Sequence, residues 1–226
     1  MLELTRSSER VEIERVEIEL IKAWLHLPAG LRQRPAGSRQ KQGLVITHGA
    51  GSNCDSPLLV AVAEAFAAAG YPVLRCDLPY RQLKPTGPPI PGGSARDREG
   101  LRRAAGVMRG ISEEVILGGH SYGGRQASML AAEQPGLAEM LLLLSYPLHP
   151  PRKREQLRTA HFPTLETPAL FIHGTRDPFG LIEEMQTAIE LIPGRTRLVP
   201  MEEAGHELGA SNAPVILREA VAMFEK

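Results

Sequence analysis

The sequence predicts an α/β fold with a mostly parallel central sheet that helices cover on both faces. Short, continuous apolar runs alternate along the chain with longer runs of helix-forming residues, a pattern typical of parallel strands that are buried on both faces. The length of 226 residues and the hydrophobic fraction of 42% allow a sizeable core. Because the sequence shows neither a repeat nor a linker long enough to divide it, we expect residues 1–226 to form a single domain.

The predicted elements alternate along the chain after an antiparallel beginning. Residues 11–27 alternate apolar and charged side chains with period two, which predicts one or two antiparallel edge strands. Residues 28–42 are rich in Gly, Pro, Arg and Gln and are predicted to form an exposed turn. Ser56 and Pro57 are expected to begin the first helix, as its cap and its first-turn residue. Buried strands are expected at 43–47, 71–76, 113–121, 139–145, 168–172 and 196–201, helices at 58–69, 97–108, 126–133, 181–191 and 213–224, and irregular segments at 82–96 and 146–167.

Composition and charge argue against several classes of protein. Lysine plus arginine equals aspartate plus glutamate, so no basic excess favours nucleic acid or an anionic membrane surface. The first ten residues carry charges where a signal peptide needs an apolar core, and no apolar run approaches the ~20 residues of a membrane span. Cys54 and Cys76 form neither a disulfide framework nor a zinc-binding Cys-x-x-Cys pair. We therefore expect a cytoplasmic protein with no nucleic-acid partner and no membrane partner.

The segment Gly119-His120-Ser121-Tyr122-Gly123 fits the pattern G-x-S-x-G. An apolar run precedes it and a run of helix formers follows it, which predicts a strand, a tight turn and a helix. In such a turn the serine adopts a strained backbone conformation, and the two glycines avoid collisions with the neighbouring strand and helix. Ser121 is therefore a candidate nucleophile at a helix N-terminus. The alternative is a glycine-rich turn with an ordinary serine.

An acid and a histidine follow the serine at two further predicted strand ends. Asp177 comes after the strand at 168–172, and His206 comes after the strand at 196–201. A serine hydroxyl needs a histidine to take its proton, and the imidazole needs a carboxylate to orient it. The alternative is that Asp177 is a turn residue and His206 a loop histidine. The other strand-end histidines, which we interpret as residues that fix loops by hydrogen bonds, are His48, His120 and His173.

An oxyanion formed during attack by Ser121 requires two backbone N–H donors. The N–H of Tyr122, directly after the serine, is one candidate. The second is expected in the turn after the strand at 43–47, where we select Ala50, with Gly51 as the alternative. A different interpretation of this turn is that its glycines only allow the chain to reverse tightly.

These residues make the sequence similar to the α/β-hydrolase superfamily from about residue 11 to the C-terminus. The motifs that carry the resemblance are His48-Gly49-Ala50-Gly51, Gly119-His120-Ser121-Tyr122-Gly123, His173-Gly174-Thr175-Arg176-Asp177 and Gly205-His206. The sequence most resembles the small, lidless dienelactone-hydrolase-like subgroup, which also includes testis-expressed and NSL-complex-subunit homologues. The segments that carry this closer resemblance are Thr47-His48-Gly49-Ala50-Gly51 and Asp77-Leu78-Pro79-Tyr80-Arg81. Dienelactone hydrolase has a cysteine where this chain has Ser121, a departure that argues against a dienelactone substrate.

The residues and the resemblance together predict a serine hydrolase. We expect it to cleave a carboxylic ester, thioester or amide in a small-molecule substrate through an acyl-enzyme, without cofactor or metal, as a monomer or homodimer. Acyl transfer to an acceptor other than water would use the same residues. The rival prediction is a non-catalytic binding or scaffold protein, because fold membership alone does not establish turnover.

Charges near the predicted site suggest an open, mildly basic mouth. Residues 146–167, where many α/β-hydrolases carry a lid, are too few for a lid domain. Arg81 and Lys84 belong to the Pro/Gly-rich loop at 80–96, and Arg125 follows Ser121 by about one helical turn. We therefore expect substrate contact from Gly51, Arg81 and Arg125, and a preference for short or acidic acyl groups. The alternative is that these arginines are ordinary solvated or ion-paired surface charges.

Overall fold

The computed structural model describes residues 4–8, 11–19, 21–33, 38–150 and 152–224. The strands are β1 (Leu4–Ser8), β2 (Val11–Ile18), β3 (Ile21–Pro28), β4 (Gln40–Thr47), β5 (Val73–Cys76), β6 (Ser112–His120), β7 (Met140–Leu144), β8 (Ala169–Gly174) and β9 (Thr196–Met201). The α-helices are α1 (Pro57–Ala68), α2 (Pro79–Leu83), α3 (Ser94–Arg109), α4 (Tyr122–Glu133), α5 (Ile182–Ile189) and α6 (Ala213–Phe224). Short 3₁₀ helices occur at Leu31–Gln33, Phe162–Thr164 and Ala210–Asn212.

The described strands form one sheet in the order β1-β2-β3-β5-β4-β6-β7-β8-β9. The pairs from β5 to β9 are parallel, whereas β1, β2 and β3 pair antiparallel and β3 is antiparallel to β5. The prediction of a mostly parallel sheet with antiparallel strands at the N-terminal edge is therefore confirmed. The sequence did not predict β1, because its five residues carry no alternating apolar pattern and pair with β2 through the backbone.

Two apolar cores lie on opposite faces of this sheet. Helices α1 and α6 pack on one face, against side chains such as Leu44 and Ile46 of β4. Helices α3, α4 and α5 pack on the other face, against side chains such as Val45 of the same strand. Because successive side chains of a strand point to opposite faces, a continuous apolar run supplies both cores at once.

The structure corrects several predicted boundaries. Residues Pro79–Leu83 form a helix where a loop was expected, and α3 begins at Ser94 instead of at residue 97. Proline at the first turn favours both α1 and α2. Ser56 precedes α1 as predicted, but its side chain makes no capping hydrogen bond. Residue 20 of the predicted edge strands and residues 34–37 of the predicted turn lie outside the described residues.

The loops at the carboxyl ends of the parallel strands meet along one edge of the sheet. The segments at 146–150 and 152–167, which follow β7, contain only the short 3₁₀ helix Phe162–Thr164, and the described residues add no lid domain. None of the described helices combines the length and apolar character that crossing a bilayer requires. This edge is where ligands bind in open α/β sheets.

Candidate active site

Ser121 lies in the sharp turn between β6 and α4. Its backbone angles are φ 51° and ψ −117°, which an L-residue adopts only under strain. A Cβ on Gly119 would come within 2.6 Å of the backbone of Gly123 and Gly124. A Cβ on Gly123 would come within 2.6 Å of the carbonyl oxygen of His48. The two glycines of the motif therefore allow the close strand–helix approach that the turn requires.

A chain of two hydrogen bonds runs from Ser121 through His206 to Asp177. The Ser121 hydroxyl oxygen lies 2.8 Å from Nε2 of His206, and Nδ1 of His206 lies 2.8 Å from Oδ2 of Asp177. The carboxylate can only accept, so Nδ1 donates to it and Nε2 is left to accept from the hydroxyl. Ser121 is 8% exposed and Asp177 is 1% exposed. The structure thus brings together three residues from three different strand ends.

The surroundings of Asp177 hold both its carboxylate and the His206 ring. The N–H of Phe179 donates to Oδ1 of Asp177 at 2.8 Å. The Phe179 ring lies against the His206 ring, with centroids 4.2 Å apart and planes inclined by 32°. Nε2 of His173 is 3.7 Å from Oδ2 of Asp177 and instead donates to the Gly180 carbonyl at 2.8 Å. His206 is therefore the histidine that hydrogen-bonds to this carboxylate.

Other strand-end histidines fix loops around the site, in agreement with the sequence analysis. Nδ1 of His48 donates to the Gly49 carbonyl at 2.8 Å, and its Nε2 accepts from the Leu78 N–H at 3.0 Å. Burial lowers the pKa of His48 to about 4, which suits a ring that accepts one hydrogen bond. Nε2 of His120 donates to the His206 carbonyl at 2.7 Å. Burial also lowers the pKa of His120.

The turn after β4 carries Ala50, the predicted oxyanion donor. The Tyr80 hydroxyl lies 2.8 Å from the Ala50 carbonyl oxygen and 3.2 Å from that of Gly49. Nη2 of Arg81 donates to the same Ala50 carbonyl at 2.9 Å. Across a trans peptide the C=O and N–H point in opposite directions. These bonds therefore direct the N–H groups of Ala50 and Gly51 away from Tyr80.

Tyr122, the other predicted donor, occupies the first position of α4. Amide groups in the first turn of a helix have no acceptor within the helix. The Tyr122 hydroxyl donates to Oδ2 of Asp97 at 2.8 Å, and Oδ1 of Asp97 accepts from the Tyr80 N–H at 3.0 Å. Burial raises the pKa of Asp97. Asp97 thus ties the turn that carries Tyr122 to the helix that carries Tyr80.

A cavity of about 790 Å³ opens beside Ser121. Its walls come from the turn after β4, the segment at 89–94, the start of α4, and the loops after β7, β8 and β9. The residues that line it include Ala50, Gly51, Tyr122 and Arg125, whose oxyanion and substrate-contact roles stay predictions. The site therefore contains room for a substrate next to the serine hydroxyl.

Arg81 donates to the turn after β4 from outside the cavity, which corrects the expectation that it lines the mouth. Its side chain is 5% exposed because α2 turns it inward. The carbonyl groups to which its guanidinium donates are those of Ala50, Lys84 and Gly87. Neither Arg81 nor Lys84 is among the residues that line the cavity.

Four residues at or beside the site carry no sequence pattern that predicts them as site residues: Tyr80, Asp97, Phe179 and Arg158. Phe179 follows Asp177 by two residues, and this position at a strand end was the available signal. Arg158 belongs to a basic segment after β7, and nothing in the sequence distinguishes it from the other basic residues there. Those residues, which do not line the cavity, are Arg152, Lys153 and Arg154.

The two cysteines are free thiols and form no disulfide. Both Cys54 and Cys76 are fully buried, and neither lines the cavity. Burial raises the pKa of the Cys76 thiol to about 12 and also raises that of Cys54. Across the described ranges, no group of three His, Cys, Asp or Glu side chains lies close enough to hold a metal ion.

The comparisons with known proteins agree with this fold. Residues 40–215 match the family model described as alpha/beta hydrolase domain. TT1662 from Thermus thermophilus is similar at 21% identity, with a TM-score of 0.70, over 96% of this chain and 97% of that one. Dienelactone hydrolase from Anabaena variabilis ATCC 29413 is similar at 22% identity, with a TM-score of 0.70, over 95% and 96%. Est1E from Butyrivibrio proteoclasticus is similar at 16% identity, with a TM-score of 0.65, over 93% and 99%.

These three solved structures are distant in sequence, and their similarity establishes the fold. The resemblance to testis-expressed and NSL-complex-subunit homologues stays a prediction. The family model, however, matches more than half of the chain, across the strands that carry Ser121 and Asp177 and through His206. This protein therefore belongs to the alpha/beta hydrolase domain family.

Proposed function

We propose that this protein is a serine hydrolase that cleaves a carboxylic ester, thioester or amide through an acyl-enzyme. The observation that carries the proposal is the hydrogen-bonded chain of Ser121, His206 and Asp177 beside a cavity that can admit a substrate. A strained serine, an imidazole nitrogen that accepts from its hydroxyl and a buried carboxylate are the parts that nucleophilic acyl transfer needs.

The proposed reaction begins with attack by Ser121 on the substrate carbonyl carbon. As the Ser121 oxygen bonds to that carbon, its proton passes to Nε2 of His206, and Asp177 stabilises the resulting imidazolium. His206 then gives this proton to the leaving alcohol, thiol or amine when the bond to the carbonyl carbon breaks. A water molecule repeats the sequence on the acyl-enzyme, releasing the carboxylic acid and restoring Ser121.

In this mechanism the N–H groups of Ala50 and Tyr122 stabilise the negative oxygen of the tetrahedral intermediate. Their directions are set before the substrate arrives, by the hydrogen bonds of the Ala50 turn and by the start of α4. Donors that are already oriented need no reorganisation during the reaction, which makes them effective catalysts. Gly51, whose N–H is directed in the same way, is the alternative to Ala50.

A fluorophosphonate probe tests this proposal against the rival of a non-catalytic binding protein. The probe phosphonylates serines that a general base has activated. We expect stoichiometric labelling of the native protein at Ser121, located by mass spectrometry of the labelled peptide, and none after heat denaturation. A native protein that remains unlabelled and hydrolyses no 4-nitrophenyl ester would support the binding or scaffold role instead.

The activity should rise with pH because His206 can accept a proton only when its ring is neutral. We expect kcat/KM for 4-nitrophenyl butyrate to increase between about pH 5 and about pH 8 through a single ionisation. Burial lowers the pKa of His48 and of His161 to about 4, so both rings remain neutral over most of this range. A flat profile between these limits would contradict the role of His206 as the base.

The Tyr80 hydroxyl should assist catalysis by positioning the turn after β4 that carries Gly49 and Ala50. Burial raises the pKa of Tyr80 to about 12, so the hydroxyl stays protonated and donates to the turn at neutral pH. Losing an oxyanion donor costs roughly 100- to 1,000-fold in kcat. In Tyr80→Phe the Gly49 carbonyl, whose peptide carries the Ala50 N–H, is still held by Nδ1 of His48, and Arg81 still holds the Ala50 carbonyl. We therefore expect a smaller loss, about tenfold, in kcat with little change in KM.

The matched control for Tyr80→Phe is Tyr71→Phe, which removes the same atom from a ring packed against Phe66 and Phe224. Tyr71 does not line the cavity, and we expect its variant to keep the wild-type kcat. Equal kcat in Tyr80→Phe and the wild-type enzyme would show that the hydroxyl does not position the turn.

Transfer of the acyl group to an acceptor other than water remains the second candidate reaction. It requires the same residues, and product analysis with added alcohols distinguishes it from hydrolysis. We further infer that residues 1–226 form one domain that acts on small molecules in the cytoplasm, as a monomer or homodimer.

A further inference from the structure

Two arginines line the cavity on the side of α4 and the segment after β7. Arg125 lies on α4, one helical turn after Ser121, and its backbone N–H donates to the Ser121 carbonyl at 3.0 Å. Arg158 reaches the cavity from the segment after β7, where its Nη1 donates to the Pro147 carbonyl at 3.3 Å. The Tyr146 hydroxyl donates to the Arg158 carbonyl at 2.6 Å and anchors this segment.

No described carboxylate pairs with either arginine. Other arginines of the chain do form ion pairs, such as Arg75 with Asp55 and Arg98 with Glu133. Nε of Arg125 is buried and has no hydrogen-bond partner among the described residues. Nε of Arg81 also lacks a partner, but Nη1 and Nη2 of Arg81 donate to three carbonyl groups, as in a structural arginine. Arg125 borders the Tyr146 hydroxyl, but among the described residues it has neither the carboxylate partner of Arg75 nor the carbonyl partners of Arg81.

Together with burial, the positive charge of Arg125 lowers the pKa of two neighbouring basic groups, Arg158 and His161. Burial lowers the pKa of Arg158, and the charge of Arg125 lowers it further. Burial also lowers the pKa of His161 to about 4, with Arg125 again contributing. Two like charges that face one cavity without a counter-charge form a site where an anion is stabilised.

Glu207 is the carboxylate residue among the described residues that line the cavity. It directly follows His206 and is exposed to solvent. Because it makes no ion pair with Arg125 or Arg158, it leaves their charge uncompensated. The cavity lining also includes Pro89, Ile90 and Pro91, which carry no charge.

We propose that Arg125 and Arg158 bind an anionic oxygen group, a carboxylate or a phosphate, carried by the substrate whose ester Ser121 attacks. This inference rests on the proposed serine hydrolase and names its substrate class. Guanidinium groups match both anions because they present parallel N–H donors in one plane. The cavity of about 790 Å³ has room for such a group beyond the acyl carbon. The arginine pair that the structure supports is thus Arg125 with Arg158, in place of the expected Arg81.

The kinetic test uses two esters that differ in charge, 4-nitrophenyl hydrogen adipate and its neutral methyl ester. We expect the wild-type enzyme to have the higher kcat/KM for the charged ester, and added salt to reduce this ratio. The ratio should fall about tenfold in Arg125→Gln and in Arg158→Gln, and further in the double variant. A second pair, 4-nitrophenyl 5-phosphonopentanoate and its dimethyl ester, identifies which anion is preferred.

The matched control is Arg152→Gln, because Arg152 is exposed on the same segment and does not line the cavity. It should keep the wild-type ratio. A binding test without turnover uses calorimetry of the Ser121→Ala variant with adipate and with inorganic phosphate. Binding of either anion that disappears with Arg125 and Arg158 supports the site even if no ester is hydrolysed, which separates this inference from the proposed function.

Two results would overturn the inference. One is a ratio of one or less for both ester pairs together with no binding of adipate or phosphate. The other is a preference for charged esters, or anion binding, that is unchanged in the double arginine variant while the variant keeps the wild-type Tm.

Discussion

Replacing Ser121 with alanine should abolish ester hydrolysis and fluorophosphonate labelling while leaving the fold intact. Removal of the nucleophile from a unit of this kind costs on the order of a millionfold in kcat. The fold should survive because the turn is built by Gly119 and Gly123, and alanine at φ 51° is strained in the same way as serine. The measurements are kcat for 4-nitrophenyl butyrate, probe labelling and thermal unfolding.

The control for Ser121→Ala is Ser56→Ala. Ser56 precedes α1, and its side chain makes no capping hydrogen bond, so the substitution removes a hydroxyl that is not expected to take part. We expect this variant to keep both activity and labelling. Substantial hydrolysis by a folded Ser121→Ala protein would show that another group is the nucleophile.

Asp177→Asn should lower kcat by roughly 10⁴-fold with little loss of stability. The new amide group donates to Nδ1 of His206, so the ring proton moves to Nε2. A protonated Nε2 can no longer accept the proton of the Ser121 hydroxyl. The remaining side-chain oxygen can still accept from the Phe179 N–H, a bond of 2.8 Å in the native protein, so the loop should keep its shape. The measurements are kcat, KM and Tm of the two proteins.

Asp55→Asn controls for the loss of one negative charge. Asp55 pairs with Arg75 and Lys22 and does not line the cavity, so we expect this variant to retain most of its kcat. An Asp177→Asn enzyme that stays within tenfold of wild-type kcat would falsify the proposed orienting role of Asp177. If the loss of kcat in Asp177→Asn came with a large fall in Tm, the loss would instead be explained by unfolding.

Much of the fold was predictable because local patterns carry it. Continuous apolar runs identified the parallel strands, since one such run supplies both cores through side chains that alternate between faces. The short helix α2 and the strand β1 were missed. Neither has an amphipathic or alternating pattern of its own, and both depend on contacts with neighbouring elements.

The sequence by itself determined the fold class and predicted that Ser121, Asp177 and His206 act together at three strand ends, because strand ends and the spacing of glycines are local features. Only the tertiary structure decided which of several arginines face the cavity. Arg81 and Arg158 both lie in segments that the sequence predicts to be irregular. In the structure, α2 turns Arg81 into a hydrogen bond with the turn after β4, whereas the segment after β7 brings Arg158 to the cavity. The direction of a side chain on an irregular segment depends on packing between distant parts of the chain, which no local pattern encodes.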